Sequence, residues 1–188
     1  MDKRLILTLS AIALLVLTVV GMALAKGEKP FVTTVGNLRI TANATFSPTR
    51  LPVDKLAPIT LNLSGKIETL NHTHPPAIQE VIFETDKNGA IDAKGLPACA
   101  LGKLQAQTTA NARAICKSAI VGEGTTSVEV AFPEQKPFTV KSEVLAFNGG
   151  TGGGKTRVFV HAYLRSPVSA SVVVPVTVSK IHNGRYGL

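Results

Sequence analysis

His72 and His74 flank Thr73, and on an extended segment alternate residues turn their side chains to the same side. Such a pair could share a copper or zinc ion. Two imidazoles do not complete a metal site, and His161 and His182 lie far away in sequence. Gly149 to Thr156 (GGTGGGKT) satisfies the phosphate-loop pattern G-x-x-x-x-G-K-[ST]. That pattern works where a helix begins behind the loop and aims its N–H groups at phosphate. Here the residues after Thr156 alternate as a strand does, so the reading is a glycine-rich hairpin loop. Asp86 to Asp92 is too sparse in oxygen ligands for a calcium loop, and Asn88-Gly89 within it suits a hairpin turn.

One further set of side chains could bind. Arg157, Phe159, His161 and Tyr163 alternate with Val158, Val160 and Ala162. If the aliphatic set faces a core, the other four form a cationic and aromatic face able to grip a sugar or an acidic polymer. The competing reading has that side covered by another part of the fold. Catalysis finds no foothold: no Ser sits in a G-x-S-x-G elbow and no carboxylates are spaced as a working pair. No catalytic residue and no cofactor is therefore assigned.

The elements that must position these residues begin with an address. Asp2, Lys3 and Arg4 precede an apolar stretch from Leu5 to Val20, and Ala23-Leu24-Ala25 supplies small residues for cleavage. Residues 1–25 read as a helical Sec signal peptide cut after Ala25, with an uncleaved anchor as the rival. Residues 26–188 read as a single secreted domain, touching membrane only through the leader. Losing Lys3, Arg4 and Asp2 lowers the net charge from +8 to +7. The remaining cations are scattered, which favours anionic envelope polymers as partners. A nucleic-acid role lacks both a basic block and interleaved aromatics.

Outside the membrane, Cys99 and Cys116 are expected to pair as a disulfide. Between them Thr108 to Ala119 reads as a short helix, capped by Thr108 or Thr109 and rich in alanine. Strands are expected at Val32–Val35, Leu38–Phe46, Ile59–Ile67 and Ile78–Thr85. Four more follow around Val128–Phe132, Phe138–Val144, Val158–Leu164 and Val172–Val178. Pro175 cannot donate to a ladder, so the last strand belongs at an edge or a bulge. The fold class is thus mainly β: an antiparallel β-sandwich with one short disulfide-clipped helix behind a signal-peptide helix. Asn183-Gly184 is a hairpin signal with too few residues after it for a returning strand. The expectation is therefore a C-terminally incomplete chain, or an open edge that pairs with another protein.

Lys94-Gly95-Leu96-Pro97-Ala98-Cys99, Ala114 to Gly124 (AICKSAIVGEG) and Leu145-Ala146-Phe147-Asn148-Gly149, with His74-Pro75-Pro76 upstream, together resemble a group of secreted actinobacterial proteins that carries no assigned activity. The resemblance covers most of the chain beyond the leader and implies export and a shared fold. It also implies that members continue past Leu188, and the glycine-rich loop before Lys155 departs from their pattern. The leading expectation is a non-enzymatic secreted or envelope-associated protein that binds an anionic polymer through loops and the Arg157–Tyr163 face. The alternatives are an extracellular hydrolase or metal-dependent enzyme using His72 and His74, and a structural subunit that pairs through an open sheet edge.

Overall fold

The computed structural model describes residues 18–19, 30–76, 78–84, 89–165 and 169–181. It is mainly β, with 51% of the described residues in strands and 10% in helix, and its three-stranded and four-stranded sheets are antiparallel. The chain falls into two compact units, residues 1–86 and 87–188.

In the first unit β2 (Phe31–Val35), β3 (Leu38–Ser47) and β4 (Thr60–Thr69) form an antiparallel meander. The register places Phe31 beside Ala42, Ile40 beside Ile67 and Phe46 beside Leu61. The apolar residues therefore share one face and Arg39, Lys66 and Glu68 the other, as a period of two requires. Ile40 is buried, whereas Leu61 and Leu63 at the far end of β4 are exposed. The Ile78–Thr85 strand shrinks to β5 (Ile82–Phe83), which bridges in parallel to β1 (Thr18–Val19). A ladder of two residues satisfies few backbone groups, and strand propensity alone does not extend it. Thr18–Val19 are the described part of the expected signal-peptide helix and make this bridge. The rest of the leader, the Asn183-Gly184 hairpin, His182, and Asp86 to Asn88 of the expected turn lie outside the described residues.

The second unit carries a four-stranded meander in the order β6 (Ile120–Val130), β7 (Phe138–Gly152), β8 (Lys155–Leu164), β9 (Ala170–Ser179). Pro175 accordingly sits in an edge strand of its sheet, where a missing N–H disrupts least. Two differences from the sequence reading stand out. Strand β6 begins at Ile120, earlier than expected, because a register shift between Ile120 and Gly122 lets the chain pass its glycines without leaving the ladder. The expected helix stops early: α2 is Thr109–Ile115, and Lys117–Ala119 is a 3₁₀ turn. Before α2 comes a helical turn that alternation did not reveal, α1 (Leu101–Leu104). Thr108 caps α2 as expected, its hydroxyl accepting the Asn111 N–H at 3.2 Å.

Cys99 and Cys116 form the expected disulfide. The segment it closes presses Leu104 and Ala112 onto Leu145, Phe147 and Phe159, and these residues with the cystine make the core. The opposite face of the sheet is uncharged. Val144, Ala162 and Val172 form one cross-strand row, Ala146, Val160 and Val174 the next, and Val158 and Val176 a third. Val172, Val174 and Val176 are 40–50% exposed.

Candidate functional site

Alternation along β8 puts Phe159 and His161 on one face, as expected, but it is the inner one. Phe159 is 6% exposed and His161 fully buried, each opposite a core residue of β7: Phe147 and Leu145. This corrects the proposed ligand face. The helical segment lies over the middle of that side of the sheet, and only its ends stay accessible, with Arg157 exposed and Tyr163 half-buried.

The His161 Nε2–H donates to the Gln107 carbonyl at 3.1 Å, and Ser171 Oγ lies 3.3 Å from the same nitrogen. Ser171 in turn donates to the Leu104 carbonyl at 3.5 Å. Nδ1 is buried with no partner. A serine beside a histidine has the elements of a nucleophile, yet an imidazole closed off from solvent cannot meet a substrate. Its position instead ties the strands to the chain between α1 and α2, satisfying a carbonyl that would otherwise be buried alone.

Asn148 makes a second tie that sequence reasoning did not single out. It is 3% exposed, and its amide donates to the Pro97 carbonyl at 2.9 Å and the Leu96 carbonyl at 3.4 Å. Its side-chain oxygen accepts the Gly150 N–H at 3.0 Å, and its own carbonyl accepts the Cys99 N–H at 2.8 Å. The ladder between β7 and β8 is irregular here, between Asn148 and Thr151. Gly150 at φ +84° suits that irregularity, and a Cβ on Gly149 would lie 2.7 Å from the Phe159 ring. The Leu96-Pro97-Ala98-Cys99 and Phe147-Asn148-Gly149 motifs thus meet in space as a structural clamp. The signal available in sequence was an Asn-Gly pair inside an apolar run, which marks a turn or an irregular strand.

The phosphate-loop pattern resolves as a hairpin. Gly153 and Gly154 link β7 directly to β8 with φ +58° and +74°, and a strand rather than a helix follows. Two successive positive φ values are what a type I′ turn requires. His72 and His74 sit after β4 in a turn organised by Asn71, whose side chain accepts from Asn37 Nδ2 at 2.8 Å and Thr73 Oγ1 at 2.7 Å. Among the described residues no three His, Cys, Asp or Glu side chains gather as a metal site.

An accessible concavity opens where the helical cover ends. It is a depression of about 520 Å³, open to solvent and lined by Thr109, Phe138, Lys141, Glu143, Tyr163 and Arg165 together with the strand between Phe138 and Glu143. Odd-numbered residues continue the inner face of both strands: Leu145 and His161 in the core give way to Glu143 and Tyr163, then to Lys141 and Arg165. Lys141 on β7 and Arg165 just past the end of β8 both line this depression. Buried Ser142 donates to the Tyr163 carbonyl at 2.9 Å, which holds the two strands together at this end. Glu143 and Glu123 are both engaged by Arg113 of α2, whose guanidinium is held above its ordinary value by these carboxylates. Among the described residues Lys141 and Arg165 make no ion pair.

No family model matches the chain, and no curated protein or solved structure matches it.

Proposed function

We propose that this is an exported, non-enzymatic β protein that binds an anionic polymer, such as one of the cell envelope, through the open end of its helix-capped sheet. The observation that carries the reading is the depression in which Lys141 and Arg165 stand together while the nearby Glu143 is engaged by Arg113. Two cations lining one depression raise its positive potential, and a bound oxyanion would be attracted there. Export is supported by the leader pattern of residues 1–25 and by a disulfide that an oxidising compartment favours. No helix among the described residues is long and apolar enough to cross a membrane.

The reading is tested by cosedimentation of the exported chain with isolated bacterial cell walls at two ionic strengths. Binding at about 50 mM salt that falls severalfold by about 300 mM is expected of contacts screened over a Debye length. Failure to bind at either ionic strength, or binding indifferent to salt, would contradict it.

A further inference from the structure

We infer that the depression is a subsite for an acidic saccharide: Lys141 and Arg165 hold an oxyanion on the sugar, and the Tyr163 ring packs on the face of the sugar ring. The inference rests on the polymer-binding reading and gives it a ligand class. Three observations on one small surface support it. A volume of about 520 Å³ lies within the range of small-ligand clefts. The two cations differ in kind, because a guanidinium offers a planar fork to an oxyanion while an ammonium acts as a point charge. Tyr163 lines the depression beside them, on a strand end that Ser142 ties to β7 through the Tyr163 carbonyl. The Thr109 hydroxyl, on the same lining, can bond to sugar hydroxyls.

The partition of charge sharpens the choice of ligand. Arg113 does not compete for the oxyanion, since its guanidinium bridges Glu123 and Glu143. Glu143 is thus engaged by Arg113, and among the described residues Lys141 and Arg165 are left without an ion pair for a ligand to meet. A neutral sugar would leave them unpaired, and a bare oxyanion would leave Tyr163 unused. The favoured ligand therefore carries both a ring and a negative group.

The test is calorimetric titration of the exported chain with hexameric oligogalacturonate, a neutral cello-oligosaccharide of equal length, and inorganic phosphate. Oligogalacturonate is expected to bind about tenfold more tightly than either of the others. Two exposed charge contacts contribute up to about tenfold together, and K141Q/R165Q should weaken binding by about that factor. Tyr163→Leu should weaken oligogalacturonate binding and leave phosphate binding unchanged. Neutral sugar binding equal to acidic sugar would overturn the oxyanion role, and phosphate binding equal to oligogalacturonate would overturn the ring contact. If K141Q/R165Q weakens salt-dependent cell-wall binding while oligogalacturonate does not bind, the saccharide subsite is wrong and the broader reading survives. If neither cell walls nor oligogalacturonate bind, both fail. Circular dichroism of the variants, whose substituted charges lie at the surface, checks that the fold is retained.

Discussion

Asn148 shows how one polar side chain can fix the geometry of an apolar core. Four hydrogen bonds leave or reach this residue, and three of them end on the Leu96–Cys99 segment that leads into the disulfide. Cutting the side chain back leaves the Pro97 carbonyl and the half-buried Gly150 N–H without these partners, beside a position that is itself 3% exposed. Each such loss costs roughly 1–3 kcal/mol. Asn148→Ala should therefore destabilise the protein by about 2–4 kcal/mol, which for a chain of this size is a fall in melting temperature of roughly 5–12 °C. A thermal melt followed by circular dichroism checks this, and an unchanged midpoint would show that the clamp is not needed. Phe159 depends on the same locality, since its ring occupies the space in which a side chain at position 149 would begin.

At the level of elements, the disulfide and the helices act as one cover. Cys99 and Cys116 are separated by 17 residues, and the loop between them contributes Leu104 and Ala112 to the core. Closing a loop of that length stabilises the fold by about 3 kcal/mol through the unfolded chain. A double Cys99→Ser, Cys116→Ser variant should lose about that amount in urea unfolding, with amide exchange rising first in α1, α2 and the facing part of β7. Uniform loss of protection across the unit would contradict the picture of a local cover.

Alternation made most strands legible, because β-branched residues at every second position have one physical reading. The helix was legible from its cap and its alanines. Which side of β8 was inner was not legible, since both of its faces carry bulky side chains. The sequence contains a valine face and a Phe159–His161 face, and only the tertiary placement of the disulfide-closed segment decides which becomes core. Alternation equally missed α1, a single turn too short to show a period. That Lys141 and Arg165 line one depression escaped because the fold brings together residues 24 positions apart, and no local spacing announces it.

For the whole molecule, the scattered positive charge and the described surface support the same proposal. Net charge alone attracts anions without choosing among them. Selection needs a place where cations are held near shape and apolar surface, and the depression at the end of the helix-capped sheet supplies one. The rival site at His72 and His74 has an ordered turn but no third ligand among the described residues. The two locations belong to different units of the chain, so a map of where a ligand acts separates them cleanly.

The most direct measurement is a set of ¹H–¹⁵N correlation spectra of residues 26–188 during titration with oligogalacturonate. The account predicts shifts confined to Thr109, to residues 138–143 and to residues 163–165, lost in K141Q/R165Q. Shifts centred on the His72–His74 turn, or a saturated complex with none at Lys141, Tyr163 and Arg165, would contradict it.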